Sequence, residues 1–135
     1  MPTSEERALE NAIIADLEAL TYITAQSIPV RNADDQTDAR AFPCVSVTVS
    51  PRSRIAPNAS YYRLGVVVVC SRHRGDDPTQ AVFDLLVNEV VDWSNAIDAI
   101  ADYSADGINY GEPIDDYEES FHHRGVSFDI FKTIA

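Results

Sequence analysis

The stretch "YYRLGVVVVCSRHRGDDPTQAVFDLL", residues 61–86, contains the densest apolar run of the chain, then a charged segment, then the start of a helical pattern. Every second residue of its first part is apolar, which is the period of a β-strand, at Tyr62, Leu64, Val66, Val68 and Cys70. Val67 and Val69 make the opposite face apolar as well, so we predict that this strand lies in the centre of its sheet. The charged segment "SRHRGDD", residues 71–77, is then the turn between a strand and a helix rather than a reactive site.

The segment that follows has the pattern of an amphipathic helix. Asp77 is a typical N-cap residue, Pro78 suits the first helical position, and Gln80 completes a capping box. Apolar residues then recur at helical spacing at Val82, Leu86, Val90, Trp93, Ile97 and Ile100. We expect this helix to pack across the sheet, with an interruption near Ser94 and Asn95.

The N-terminal half predicts a second helix and a second strand. The helix covers residues 4–20, where a capping box precedes leucines and isoleucines at helical spacing. In "PCVSVTVS", residues 43–50, valines alternate with small residues, as in a strand with one buried face. Two polar segments, residues 31–42 and 51–60, are long enough to serve as contact loops.

The C-terminal part predicts two more strands. They are "INYGEP", residues 108–113, and "SFHHRGVSFDIFKTI", residues 120–134, joined by the acidic turn "IDDYEE", residues 114–119. A short apolar piece around Ile28 and Val30 precedes the first polar segment, and with it the order of elements is α, β, β, β, α, β, β. We therefore predict one α+β domain over residues 1–135, with a mixed, mainly antiparallel sheet of four to five strands and two main helices packed on it.

Composition limits the class of protein. A chain of 135 residues has the length of one domain, and 45% hydrophobic residues exclude a disordered chain. The first 20 residues lack the basic start and apolar block of a signal peptide, and no apolar stretch reaches the roughly 18 residues of a membrane span, so we expect a cytosolic protein. The net charge of −12 argues against nucleic-acid binding by the surface as a whole.

The charges are divided unevenly along the chain. Residues 41–75 contain five arginines and no acid, whereas residues 76–135 contain fourteen acids and only Arg124 and Lys132 as cations. One interpretation is that these are solvated faces of an acidic protein. The other is that an arginine-bearing edge of one subunit meets an acidic edge of the next, as in a ring. The interface residues of this second interpretation are Arg52, Arg54, Arg74, Asp115, Asp116, Glu118 and Glu119.

Common catalytic and binding motifs are absent from the sequence, which has no GxGxxG, P-loop, HExxH, GxSxG or EF-hand loop. We therefore predict no catalytic, cofactor-binding or metal-binding residues and no cofactor. His73 beside Asp76 and Asp77 is interpreted as part of a polar turn, because nothing there supplies an oxyanion hole. The acids between Asp115 and Glu119 do not have the spacing of a cation-binding loop.

Two cysteines and two adjacent histidines are the remaining candidates for a redox or metal site. Cys44 and Cys70 form no CxxC motif and have no histidine at metal-ligand spacing, so we interpret them as a pair of structural thiols in apolar strands. His122 and His123 are neighbours in a predicted strand, where successive side chains point to opposite faces. They are therefore poorly placed to share a metal ion.

Residues 60–132 carry a family resemblance. The long strand "YYRLGVVVVCSR", the polar turn, the helix "DPTQAVFDLLVNEVVDW", a glycine-containing strand and the final strand "FHHRGVSFDIF" together resemble the tail-terminator and head-to-tail joining proteins of tailed bacteriophages. The N-terminal helix and the strand "FPCVSVTVS" extend the similarity over most of the chain. The resemblance consists of element order and apolar spacing, without a signature residue.

The resemblance implies a structural protein of the virion tail or neck, assembled in the host cytoplasm, and not an enzyme. It implies a homo-oligomeric ring, expected to be a hexamer, that binds the tail-tube protein and a head-completion or neck protein and has no membrane partner. DNA would only pass through the lumen of the ring, and acidic residues that line the lumen would repel the DNA. Alternatives in the same class are a neck stopper or a tail-tube subunit. The alternative from another class is a small hydrolase or ligand-binding enzyme that uses His73 or His122 with nearby acids.

Overall fold

The computed structural model describes residues 4–32, 43–51, 61–73, 77–97, 99–100, 103–104, 112–117 and 121–133, which form three helices and seven strands. The helices are α1 (Ser4–Glu18), α2 (Thr21–Ala25) and α3 (Asp77–Ala96). The strands are β1 (Val30–Asn32), β2 (Cys44–Pro51), β3 (Tyr61–His73), β4 (Ala99–Ile100), β5 (Tyr103–Ser104), β6 (Glu112–Tyr117) and β7 (Phe121–Thr133).

All seven strands belong to one sheet in the order β1-β2-β3-β7-β5-β4, and β6 also pairs with β7. β1 is parallel to β2, and every other pairing is antiparallel. The prediction of an α+β fold with a mixed, mainly antiparallel sheet is therefore confirmed. The predicted four to five strands agree roughly with the structure, since only β2, β3, β6 and β7 have six or more residues.

β3 lies in the centre of the sheet, between β2 and β7, as its apolar run predicts. One face of these three strands is buried and forms the sheet side of the core. Its apolar residues are Val45, Val47, Val49, Leu64, Val66, Val68, Cys70, Val126, Phe128 and Ile130. Val67 and Val69 point to the opposite face and are half-buried.

The helices complete the core from one side of the sheet. α1 packs on β1 and β2, and α3 packs on β3 and β7. Their buried side chains include Leu9, Ile13, Leu17, Phe83, Leu86 and Val90. Burial of each such side chain contributes about 1.5–3 kcal/mol, so this layer is a major source of stability. We call the covered face of the sheet the inner face, and the face of Val67 and Val69, on which no described helix packs, the outer face.

α3 ends at Ala96, so the last two members of the predicted helical stripe, Ile97 and Ile100, lie beyond the helix. Ile100 lies in β4, which pairs with β5, and its side chain is buried. Near the predicted interruption, the Ser94 hydroxyl donates a hydrogen bond to the Val91 carbonyl at 2.7 Å, an interaction that competes with the helical pattern. The apolar spacing identified a buried residue but assigned it to the wrong element.

The predicted acidic turn at residues 114–119 is wrong, because β6 continues through most of it and pairs with β7. Acidic residues are depleted in strands, which is why they indicated a turn. In the structure, Asp115 lies opposite Arg124 and Asp116 lies opposite His123. The backbone pairing with β7, a strand later in the chain, therefore decides the conformation here, and local composition does not reveal it.

Several predicted segments are covered only in part. The strand predicted at residues 108–113 overlaps β6 at residues 112–113, and its other residues lie outside the described ones. Of the first predicted contact loop, Arg31 and Asn32 belong to β1. The rest of that loop, and the second loop from residue 52 onward, lie outside the described residues.

α2 is a short helix that the sequence pattern did not indicate. Its first turn is capped by α3, because the Glu89 carboxylate accepts hydrogen bonds from the backbone N–H groups of Tyr22 and Ile23 at 3.0 and 3.1 Å. A carboxylate at a helix N-terminus also interacts favourably with the helix dipole. The capping residue is 67 positions away from Tyr22, so no local pattern reveals it.

α2 ends in a Schellman motif that turns the chain toward β1. The Ser27 N–H donates to the Thr24 carbonyl at 3.2 Å, and the Ile28 N–H donates to the Ile23 carbonyl at 3.1 Å. Ser27 has a φ of 52°, the left-handed conformation that glycine usually adopts at this position. Ile23 and Ile28 are buried at the two ends of the motif, so the apolar contact offsets the strain at Ser27.

At Gly125 of β7, a side chain would meet the backbone of β3. A Cβ atom on Gly125 would be 1.9 Å from the carbonyl oxygen of Val68 and 2.9 Å from the Cα atom of Val69. Both are backbone atoms of the central strand, which is paired on both sides. Only glycine therefore fits this position without moving β3.

We expect Gly125→Ala to lower the free energy of unfolding by about 3 kcal/mol or more, because the added methyl group displaces the backbone of a central strand. Urea unfolding followed by circular dichroism measures the change. Ser127→Ala, two residues further along the same strand and face, is the control and should change stability by no more than about 0.5 kcal/mol. A Gly125→Ala protein as stable as the wild type would contradict the close approach.

Candidate functional site

One end of the inner face is basic rather than apolar. Arg72 of β3 faces His122 of β7, and Arg124 follows two residues along β7. Arg72 is 7% exposed and His122 is 5% exposed, so both are buried. The ring of Phe83 lies against both, with its centroid 5.3 Å from Arg72 Cζ and 5.4 Å from the His122 ring centroid. The first contact has the geometry of a cation–π interaction.

α3 supplies polar partners to this basic end. Arg72 Nη2 donates to Gln80 Oε1 at 3.4 Å, and Arg124 Nη1 pairs with Asp84 Oδ1 at 3.2 Å. The Arg124–Asp84 pair is partly exposed, so solvent screening limits it to about 1 kcal/mol at most. These contacts attach the start of α3 to β3 and β7, which makes the basic end a structural junction. Residues 71–73, predicted as part of a turn, belong to β3, so the prediction is wrong for them.

The enzyme alternative relies on His122 or His73. His122 is poorly placed for catalysis, and the side chain of His73 lies outside the described part of the chain. His122 is buried against Phe83 under α3, so a dissolved substrate reaches its ring only if the helix moves. His73 is the last residue of β3, and its side chain lies outside the described part of the chain.

A serine and a histidine lie side by side on the outer face, and an aspartate is in backbone register with them. Ser71 of β3 faces His123 of β7, which in turn faces Asp116 of β6. Ser71 Oγ and His123 Nδ1 are 2.7 Å apart, a hydrogen-bonding distance, and the Phe121 ring stacks on His123 with centroids 6.1 Å apart. The sequence analysis missed this row because the register of three strands brings it together.

This row does not have the geometry of an acyl-transfer site. Ser71 is buried, whereas a nucleophile must be open to its substrate. β3 is paired on both sides at Ser71, so the backbone N–H groups around it serve the sheet and form no oxyanion hole. Ser71 and His123 are a cross-strand hydrogen-bonded pair, whose contribution to stability is about 1 kcal/mol.

The two adjacent histidines point to opposite faces, as the sequence predicts. His122 is buried on the inner face, and His123 is half-buried on the outer face. Within the described residues, no three His, Cys, Asp or Glu side chains are grouped so that they could hold a metal ion. The absence of a metal site in the whole chain stays a prediction.

Cys44 and Cys70 form no disulfide, and both are buried. In the pairing of β2 with β3, Cys44 faces Ser71 and Cys70 faces Val45, so the two thiols lie on opposite faces of the sheet. Burial raises the pKa of the Cys70 thiol far above its usual range, and the nearby Cys44 raises it further. A buried, uncharged thiol is a poor nucleophile and metal ligand, so Cys70 acts as an apolar core residue.

Two of the seven predicted interface residues belong to the part of the chain that the structure describes. Asp115 and Asp116 lie in β6, opposite Arg124 and His123 of the same chain. The five that lie outside the described residues are Arg52, Arg54, Arg74, Glu118 and Glu119. The acidic strand β6 therefore has basic neighbours within its own chain, a feature that the sequence analysis did not anticipate.

An open groove between α2 and α3 is a second feature that the sequence analysis missed. Its volume is about 670 Å³. Most of its lining is apolar, and two carboxylates contribute to it. The lining includes Leu20, Tyr22, Leu85, Glu89, Asp92 and Trp93. We call it the α2–α3 groove, and because its two helices are far apart in the sequence, only their packing creates it.

Comparisons with known proteins identify no relative of this chain. No family model, curated protein or solved structure matches it. None of the described helices is long and apolar enough to cross a membrane. The resemblance to phage tail-terminator proteins therefore rests on the sequence pattern alone, and the function that it implies is a proposal.

We expect His122→Ala to lower the free energy of unfolding by about 2 kcal/mol, because it leaves a cavity beside Phe83. His123→Ala should cost about 1 kcal/mol through loss of the bond to Ser71. Urea unfolding measures both effects.

In isothermal titration, the wild-type chain should bind zinc and manganese no more tightly than roughly micromolar. A tight stoichiometric site that His123→Ala removes would show that this interpretation is wrong.

Proposed function

We propose that this chain is a structural subunit of a bacteriophage virion, which forms a ring with copies of itself, caps the tail tube and joins the tail to the head. The observation that carries the proposal is that both long helices pack on the inner face of the sheet. No described helix packs on the outer face. Cys44 and Ser71 at one end of this face are buried, and the half-buried part around Val67 and Val69 is the part that we propose for contact with another protein. A subunit of an assembly needs such a surface in addition to its own core.

The outer face combines apolar and small polar side chains. Val67 and Val69 are half-buried there, outside the main core, and Phe121 and Phe131 of β7 lie on the same face. The small polar residues of this face include Ser46, Thr48 and Ser127. Apolar side chains surrounded by polar ones are typical of protein contact sites. We assign the outer face to the contact with the tail tube.

The division of charge supports self-association. An arginine-bearing surface of one subunit meets an acidic surface of the next, and such contacts between unlike surfaces close a ring when the rotation between subunits closes. The proposed residues are Arg52, Arg54 and Arg74 on one side and Asp115, Asp116, Glu118 and Glu119 on the other. Acids that face the lumen would also repel DNA passing through it.

The alternatives differ in how well the structure supports them. A neck stopper and a tail-tube subunit belong to the same class, and loss of the gene distinguishes the tube subunit, since only that protein is needed to build the tube itself. The hydrolase alternative has less support, because His122 and Ser71 are buried and serve packing or strand pairing. The structural role is therefore the function that the geometry favours.

We expect the purified chain to form a closed homo-oligomer at high protein concentration and low ionic strength, and to dissociate as salt is added. The physical reason is that salt screens the contact between arginines and acids. Native mass spectrometry over a series of ionic strengths measures the assembly. A strict monomer under every condition, also with the tail-tube protein present, would refute the ring.

The role in the virion is measured separately, by electron microscopy of particles from a phage that lacks the gene. The proposal leads us to expect tails of uncontrolled length and heads without tails. Tails of normal length joined to heads would overturn the terminator assignment, whatever the oligomeric state of the purified chain.

A further inference from the structure

The α2–α3 groove has the size and lining of a binding surface. Its volume of about 670 Å³ falls within the range of about 300–1,000 Å³ that is usual for binding pockets. Leu85 is 53% exposed in this groove and is the only large hydrophobic side chain so exposed within the described ranges. Tyr22 and Trp93 line the same groove. An exposed leucine beside two aromatic residues is typical of a protein contact rather than of a solvated helix face.

The charged side chains of the groove are acidic. Glu89 is half-buried and is held in place by the N–H groups of Tyr22 and Ile23. Asp92 lies three residues further along α3 and is exposed to solvent. No lysine or arginine belongs to the described lining of the groove. The groove therefore fits a segment in which an apolar side chain lies next to a cation.

The chain itself carries a segment of this composition. Residues 52–55 read Arg-Ser-Arg-Ile, within the stretch 41–75 that contains no acid. Asp115 and Asp116, the described acids of the proposed interface, lie opposite basic residues of their own chain. Asp92, in contrast, lies on the exposed surface of a helix, where a cation from another molecule can approach it.

We infer that the α2–α3 groove of one copy receives residues 52–55 of a second copy. Ile55 packs against Leu85 and Trp93, and the flanking arginines lie beside Asp92. The contact joins two different surfaces of the chain. Each copy therefore receives a segment in its groove and inserts its own segment into the groove of the next copy, and repetition of the contact closes a ring. The inference rests on the proposed ring assembly and replaces the acids at residues 115–119 with Asp92 as the partner of Arg52 and Arg54.

Two variants of the full chain remove one side of this contact each. Asp92→Lys places a cation in the groove, and the combined substitution Arg52→Ser and Arg54→Ser removes the cations from the segment. The matched control is Asp16→Lys, which makes the same charge change on an exposed residue of α1 outside the groove. In sedimentation velocity at low salt, both groove and segment variants should raise the dissociation constant at least about tenfold, whereas the control assembles like the wild type.

A mixture of the two impaired variants gives the sharpest measurement. The Asp92→Lys chain keeps an intact segment, and the arginine-free chain keeps an intact groove. At a concentration where each is monomeric alone, the mixture should form a one-to-one heterodimer and nothing larger. A mixture that stays monomeric overturns the contact between copies.

Leu85→Ser, which removes apolar contact without changing the charge, should also weaken assembly of the otherwise wild-type chain. Assembly with unchanged affinity would contradict the role of the groove.

Failure of this inference and failure of the proposed function give different results. If the wild type assembles and Asp92→Lys assembles equally well, the ring stands and its contact lies elsewhere, so the inference alone is overturned. If the wild type is monomeric at every ionic strength and with the tail-tube protein present, the ring itself is refuted, and the inference fails with it.

Discussion

The antiparallel pairing of β3 with β7 is the constraint on which the rest of the structure depends. It continues over thirteen residue pairs, from Tyr61 with Thr133 to His73 with Phe121. This register decides which side chains share a face, and a shift by one residue would move the apolar residues of β7 from the core to the outer face. The missing side chain at Gly125 permits the close approach of the two backbones. The helices can pack on the sheet only because this pairing presents one continuous apolar face to them.

The parts of the fold that local pattern could predict are those with strong periodicity. β3 and α3 were predicted from alternating and helical spacing, and both are present, because burial of one face acts on every residue of such elements. β6 and α2 were missed because their stabilising partners are distant: Arg124 lies opposite Asp115, and Glu89 caps α2 from another helix. The Ser71–His123 pair and the α2–α3 groove depend on register and helix packing, which no single segment encodes. The predicted contact loops fall largely outside the described residues, so their role stays a prediction.

Two groups of polar residues in the described part of the chain have different physical roles. Those on the sheet, such as Arg72, His122 and Ser71, are buried and engaged with neighbouring elements, so they fix strands and helices in place. Those on the helix surface, such as Asp92, are exposed beside apolar side chains. Reactivity is low where burial is high, and recognition is favoured where apolar and charged groups are exposed together.

The long register of β3 with β7 also governs the order in which the chain folds. Residues paired between β2 and β3 are 13 to 27 positions apart, whereas those paired between β3 and β7 are 48 to 72 positions apart. Closing the longer loop is slower, so we expect the hairpin of β2 and β3 to form first, which leaves one edge of β3 open. That edge carries four consecutive valines with unpaired backbone groups, which is a template for aggregation. The same valine run that builds the core is therefore the point at which newly made chains are most exposed to misassembly, until β7 covers it.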